Sequence, residues 1–371
     1  MSFLYVLSVI TVVIILFIWL YPPLGGRPSG KQSASMHQSP QFGKKQFQNG
    51  VATTMDMGFG ETLKILWDFI VGAPNRKPSQ QIPMQVCDPH ALAKSDGITI
   101  TWLGHSSLLL NWRGKVILID PMFGNAPTPF PWFAGQRYSQ GLPFKVHQLP
   151  TIDAVFFSHD HYDHLDYGTI RKIQHKVKQF FVPLGVSAHL ERWGVQPERI
   201  EEHDWWDEFS YEGLTIACTP ARHFSGRSLN DRNRTLWCSW VIIDTNDGTR
   251  LFYSGDSGYA SHFADIGAKY GPFDWALIEC GQYDLRWKQI HLMPEESVQA
   301  AIDVRAARML PVHWAAFTLA LHPWFDPAER VVNEAQKRNV SILVPQIGET
   351  VDLHAKDFVA RRWWDNLISD S

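Results

Sequence analysis

Apolar positions along this chain fall into three patterns, and each predicts a different kind of element. The first is unbroken: residues 3–21 read FLYVLSVITVVIILFIWLY, 19 positions without a charge. As a helix this run is about 28 Å long, enough to cross the hydrocarbon layer of a bilayer. A cleavable signal would want a basic start and a small-x-small cleavage site. Here Ser2 alone separates Met1 from the run, and Tyr21-Pro22-Pro23 closes it, so an uncleaved anchor is expected. The second pattern is helical. In 62–72, Leu63, Leu66, Trp67 and Ile70 share one face, which predicts a short helix packed on the main body. Lying in a membrane interface is the alternative for that face.

The third pattern is short and β-rich. Strands are predicted at 98–103, 108–112, 116–119, 154–158, 179–182, 214–219, 236–243, 250–254 and 275–278. Helices are predicted at 167–176, 186–193, 295–306 and 327–338. Strands in succession with helices interposed in both halves suggest two packed sheets with helices outside, an α+β arrangement. No internal sequence repeat is visible.

Between the anchor and the body, residues 22–55 are rich in Gly, Ser, Gln and Pro. They carry Arg27, Lys31, Lys44 and Lys45 but no acid, and read as a polar basic tether. The positive-inside rule keeps that flank, and hence the catalytic domain, on the cytoplasmic side; the same cations could lie on anionic headgroups. The division expected is 1–21 membrane anchor, 22–55 tether and 56–371 folded domain, the last of ample size for a core.

Composition narrows the function. With 45% apolar and 19% charged residues, a disordered or fibrous chain is excluded. A net charge of −3 lacks the basic surplus of a nucleic-acid binder. Cys87, Cys218, Cys238 and Cys280 make no CxxC pair, so neither a disulfide scaffold nor a thiolate zinc knuckle is suggested. The 16 histidines are ample for metal ligation or proton transfer.

The decisive segment is Ser158-His159-Asp160-His161-Tyr162-Asp163-His164, directly after the apolar DAVFF. In a turning loop, His159 and His161 can converge on one cation while Asp163 and His164 face a second position. Such an N/O donor set suits zinc, or iron or manganese. Further ligands must come from downstream, and His223, Asp256 and His313 each stand just past an apolar or small-residue stretch. Alone, each would read as an ordinary hydrogen-bonded residue; after an HxHxDH, in this order, they reinforce one another.

That pattern resembles the metallo-β-lactamase fold. Within it the chain is similar to the N-acylphosphatidylethanolamine-hydrolysing phospholipase D family. The likeness runs from about residue 101 to 349 through TWLGHSS (101–107), IDP (119–121), PTIDAVFFSHDHYDHLDY (150–167), VPLG (182–185), DWW (204–206), TPARH (219–223), SGDSGY (254–259), GPFD (271–274), HLMPEE (291–296) and VHWAAF (312–317). The resemblance implies an αββα sandwich holding two Zn2+. His159, His161 and His223 would hold one metal, and Asp163, His164 and His313 the other, with Asp256 bridging. Asp120 would stand behind the ligands and orient them, and His105 would do the same, with a satisfied structural histidine as the alternative.

Two such metals can generate a bridging hydroxide that attacks phosphorus or an acyl carbon. Asp163 would orient it or relay its proton, and Asp256 would fix the spacing. His291 and His322 are candidates for touching phosphate or leaving group. The aromatic loop 128–133 and Trp205-Trp206 could line an acyl groove or sit among headgroups, with core packing as the bland alternative. The implied activity is cleavage of N-acylphosphatidylethanolamine to phosphatidic acid and an N-acylethanolamine at a membrane. Hydrolysis of a lactone, thioester or small phosphodiester is the alternative. Expected partners are a phospholipid substrate and the membrane, with no nucleic acid; a homodimer is left open.

Overall fold

The computed structural model describes residues 2–54, 58–132, 136–355 and 361–368. The expected tether–domain limit at 55/56 and Phe133 of the aromatic loop lie outside the described residues.

Two seven-stranded sheets face each other. The first contains β1 (Ile98–Trp102), β2 (Leu108–Trp112), β3 (Lys115–Ile119), β4 (Ile152–Phe156), β5 (Val177–Pro183) and β6 (Ile200–His203). The second contains β7 (Glu208–Tyr211), β8 (Leu214–Thr219), β9 (Ser239–Asp244), β10 (Arg250–Tyr253), β11 (Phe273–Glu279), β12 (Ala306–Val312) and β13 (Ser341–Ile342). The chain then returns to the first sheet, where β14 (Thr350–Asp352) pairs antiparallel with β1. In both sheets the pairing is antiparallel on one side and parallel on the other, changing at β3 and at β10. The two halves thus share a topology that no sequence repeat announces.

The helices are α1 (Ser2–Leu20), α2 (Gly30–Gln38), α3 (Phe59–Val71), α4 (Pro89–Leu92), α5 (Tyr167–Ile173), α6 (Ser187–Arg192), α7 (His262–Tyr270), α8 (Pro294–Asp303), α9 (Asp326–Lys337) and α10 (Asp365–Ile368). Strand period two explains the layering. Ile117 and Ile119 join Trp102, Phe156 and Trp240 in one cluster, and Phe156 meets Trp240 of the opposite sheet edge-on. Leu118, between those two isoleucines, belongs instead to the outer cluster with Val155, Phe180 and the α5–α6 residues Ile170, Ile173 and Leu190. Strands covered on both faces read as continuous apolar runs, and all of β2 is buried. The αββα sandwich expected from the resemblance is the observed fold. The strands β6 and β7 and the helix α7 escaped the pattern reading, because short half-exposed strands and a nine-residue helix carry little periodic signal.

Two expectations about the N-terminal region change. Residues 22–54 do not form a loose tether. Helix α2 starts at a capping box in which Gln32 accepts from the Ser29 backbone, and Gln32 also donates to Ser187 and Glu191. Met36 and Phe47 are buried in the main core. Low hydropathy concealed this, since the segment is held by two apolar residues and specific hydrogen bonds. Helix α3 does not pack its apolar face on the body either: Leu63, Leu66, Trp67, Ile70 and Val71 are all exposed. Helix α1 is a membrane-span candidate by length and composition, with none of the described residues of its apolar stretch buried.

Candidate metal centre

The site is built where strands of both sheets end on one edge of the sandwich. β4 runs into Phe157-Ser158 and the histidine motif, which turns tightly as His164 and Leu165 N–H groups donate to the His161 carbonyl. His223 lies in the loop after β8, Asp256 in the loop after β10, and His313 follows β12 directly. The β1–β2 turn brings His105, whose carbonyl accepts from the His313 N–H while its own N–H donates to Trp314. His105, Asp120 and His313 all have positive φ, at 55°, 42° and 68°. For residues with a Cβ this costs about 1–3 kcal/mol each, strain that surrounding packing must outweigh.

Nitrogen atoms of three histidines converge. His159 Nε2 is 2.9 Å and His223 Nε2 3.2 Å from His161 Nδ1. Ligands sharing one tetrahedral ion at 2.0–2.1 Å would be about 3.3 Å apart. The outer nitrogens are fixed: His223 Nδ1 donates to the Ile290 carbonyl, and His159 Nδ1 is 2.9 Å from Ser158 Oγ. This frees the inner nitrogens as acceptors, the form a metal takes. Burial, with neighbouring imidazoles adding to it, holds His159, His223 and His313 well below the usual histidine range. Burial lowers His161 to about 4.

A second group sits beside the first. His105, Asp163, His164 and His313 bring their ligating atoms within 4.8 Å of one another. His105 Nε2 donates to Asp163 Oδ2 at 2.9 Å, and His164 Nε2 is 3.5 Å from the same oxygen. Asp256 lies between the groups. Its Oδ2 is 3.1 Å from His164 Nε2, 3.7 Å from His159 Nε2 and 3.8 Å from His223 Nε2, while Oδ1 is 3.1 Å from His313 Nδ1. Although so close to His313, Oδ1 lacks hydrogen-bond geometry to any partner. Burial raises the Asp256 carboxyl to about 7. A buried carboxyl with an orphaned oxygen, beside His159, His223 and His313 that burial holds in the neutral form, is a donor set that suits a divalent cation. These residues are arranged to bind metal.

Behind them Asp120 accepts from His164 Nδ1 at 2.7 Å, from the Ser158 N–H at 2.8 Å and from the Tyr253 hydroxyl. Asp160, inside the motif but outside the cluster, accepts from the Gly226 N–H and the Thr235 hydroxyl, with His189 Nε2 3.3 Å away. It anchors the loop carrying the ligand histidines.

His291 stands within the site, its ring 5.0 Å from that of His223 and 5.1 Å from that of His313. Its Nδ1 is 2.7 Å from Glu279 Oε2, and its Nε2 makes no hydrogen bond to a described residue. Glu279 ends β11, is fully buried, and accepts from the Ser257 and Leu292 N–H groups; burial pushes its carboxyl well up. Sequence reading missed it, although an acid at the end of the apolar run WALIE was itself a signal. Asn49 left no signal at all: its side chain accepts from the His223 N–H and donates to the His223 carbonyl.

His322, the other candidate for a substrate contact, has both ring nitrogens engaged within the protein. Its Nε2 accepts from the Gln282 N–H and its Nδ1 donates to the Pro323 carbonyl, so neither nitrogen remains for a ligand. Trp205 is core, donating to the Trp237 carbonyl, and Trp206 is half-buried against Tyr270. The 128–132 loop behaves differently. Phe130 stacks on Tyr21 at the end of α1, and an apolar cavity opens between Tyr21, Pro129, Trp132, Tyr167 and the motif's own Tyr162.

The Beta-lactamase superfamily domain matches residues 115–314. An uncharacterized protein of Mycobacterium tuberculosis is 38% identical over 345 residues, covering 90% of this chain and 91% of its own. The N-acyl-phosphatidylethanolamine-hydrolyzing phospholipase D 1 of Caenorhabditis elegans is 34% identical over 248 residues, 63% of this chain and 69% of its own. Among solved structures, a metallo hydrolase of the archaeon Ignicoccus hospitalis shares the fold with a TM-score of 0.52 and 21% identity. That match spans 70% of this chain and 99% of the other.

Proposed function

The chain belongs to the N-acylphosphatidylethanolamine-hydrolysing phospholipase D family of the metallo-β-lactamase superfamily, metal-dependent hydrolases, and from that premise we propose that it is a membrane-anchored dinuclear zinc phosphodiesterase. Its substrate in this reading is N-acylphosphatidylethanolamine, cleaved to phosphatidic acid and an N-acylethanolamine. The observation that carries it is the position of Asp256 between the two groups, with Oδ2 3.1 Å from His164 Nε2 and 3.7 and 3.8 Å from His159 and His223 Nε2, and Oδ1 3.1 Å from His313 Nδ1. His159, His161 and His223 would hold one ion, Asp163, His164 and His313 the other, and Asp256 both. Bound there, two divalent ions would lower the pKa of a water towards neutrality and stabilise charge on the phosphoryl oxygens.

The remaining work falls to the chain. Asp163, fixed by His105, is placed to accept the attacking water's proton. A bond forms from the water oxygen to phosphorus, and the bond from phosphorus to the N-acylethanolamine oxygen breaks; that oxygen leaves with a proton. His291, held at Nδ1 by Glu279, leaves Nε2 for a phosphoryl or leaving-group oxygen. The apolar cavity beside Tyr162 suits an acyl chain, and α1 keeps it near the bilayer. Supporting the lipid reading over other esters is that cavity together with the Caenorhabditis elegans relative.

Mass spectrometry of products from N-acylphosphatidylethanolamine in mixed micelles tests this, with Asp256→Asn as control. Paired phosphatidic acid and N-acylethanolamine are expected, absent in the variant and after chelation, and restored by zinc. Intact lipid with a metal-loaded enzyme would reject the substrate. Recovery with iron or manganese but not zinc would reject the metal.

A further inference from the structure

Helix α3 presents an apolar face that no described residue covers. Its inner side is bound to the body: Asp68 pairs with Arg286 at 2.9 Å, and Arg76 just beyond the helix reaches back to the Phe69 carbonyl and across to the Ala320 carbonyl. The opposite side carries Leu63, Leu66, Trp67, Ile70 and Val71, with Trp67 63% and Ile70 78% exposed. At 100° per residue these five form one continuous stripe, flanked by Lys64. Burying such side chains is worth about 1.5–3 kcal/mol each, so a soluble surface has no reason to array them in a row.

From this we propose that α3 is a second membrane contact, lying in the headgroup region with its apolar stripe toward the acyl chains. Three observations choose a lipid surface over a protein partner. The same chain carries α1, an apolar helix with no buried stretch. Helix α1 is held to the body, since Tyr21 donates to the Pro129 carbonyl, Phe17 and Tyr21 stack with Phe130, and Arg227 donates to the Pro23 carbonyl. Both helices also border the edge that bears the metal-ligating cluster. The end of α1 meets Arg227, whose guanidinium covers Tyr162 of the histidine motif. Helix α3 pairs with the 284–286 turn, a few residues past Glu279. Exposed Leu285 in that turn extends the apolar surface.

With Trp67 at the centre and Lys64 at the margin, the stripe has the composition of an interfacial helix. Two contacts near the site would hold the mouth of the cluster against the bilayer, where a single span would let the domain pivot.

Depth measurement on the full chain tests this without reference to substrate. Single cysteines at Leu63, Trp67, Ile70 and Glu61, in a Cys87→Ser background, are labelled with a nitroxide. The protein is reconstituted in vesicles of phosphatidylcholine with a minority of phosphatidylglycerol. The remaining native cysteines are buried, and the labelled positions are exposed, so folding is undisturbed. The ratio of oxygen to aqueous nickel-chelate accessibility should be several-fold higher at 63, 67 and 70 than at 61. Equal access of nickel at all four would leave the stripe in water and overturn the proposal. Shielding of 63, 67 and 70 from both reagents would mean a protein cover, such as a second copy, and would overturn it equally.

Discussion

Asp256 illustrates how a single side chain at this site trades stability for chemistry. Burial raises its carboxyl to about 7, above the usual value of about 3.9, so ionising it opposes folding while no cation is bound. The metal-free protein should therefore lose stability as pH rises through about 7, and Asp256→Asn should remove that loss. Melting of the chelated proteins at pH 8 checks this: the variant should melt higher than the parent. After adding zinc the order should reverse, because only the parent gains the binding free energy of a complete ligand set. An unchanged order would show that Asp256 takes no part in holding metal. The ligand cluster was legible because four donors sit within six residues after one strand, and because each distant donor follows an apolar run. Glu279 and Asn49 were not. Glu279 closes the apolar run WALIE, but only the fold shows that it holds His291, and nothing local marks Asn49, whose partner His223 lies far away in sequence.

At the scale of elements, the two sheets are joined away from the metal edge by Asp244 at the end of β9. Its carboxylate accepts from Trp112 Nε1 and Arg113 Nε at the end of β2, both at 2.8 Å, and from the Asn246 N–H. Burial alone would raise this acid, but the Arg113, Asn246 and Trp112 hydrogen bonds outweigh it and bring it down to about 2. A depressed carboxyl contributes stability that is complete above its unfolded value and is lost as pH falls through the folded one. Between pH 4 and pH 2 this pin should release about 2 kcal/mol. Asp244→Asn should flatten the acid limb of the stability curve over that window, followed by urea unfolding; a parallel curve would show that the pin is energetically idle. Pattern reading placed the central strands because, sandwiched between a second sheet and helices, they are apolar on both faces. It failed on α3 in an instructive way: periodicity gave the helix and its stripe, but a stripe does not say whether protein or lipid covers it.

Across the whole molecule, the segment that follows Tyr21 lies against the domain, where a free polar tether was expected. Up to that point the chain is an apolar helix with no buried position among the described residues; beyond it, residues 22–54 are woven into the domain. Phe47 is fully buried and its N–H donates to the Asn233 carbonyl. Asn49 grips both backbone groups of His223 and accepts from Trp237 Nε1. Arg222, next to that histidine, donates to Ala52 and Thr53. Two truncations separate helix α1 from scaffold. Removing residues 1–20 should leave melting temperature and zinc content unchanged, and activity on detergent-dispersed lipid intact. Removing residues 1–54 should expose the cavity left by Met36 and Phe47, a loss of several kcal/mol, and free the loop that holds His223. Zinc measured per protein should then fall along with the melting temperature. If the longer truncation were as stable and as metal-replete as the shorter, residues 22–54 would be the tether their composition suggests. The hydrogen bonds to His223 argue otherwise, because they tie the segment behind helix α1 to the geometry of the metal-ligating cluster.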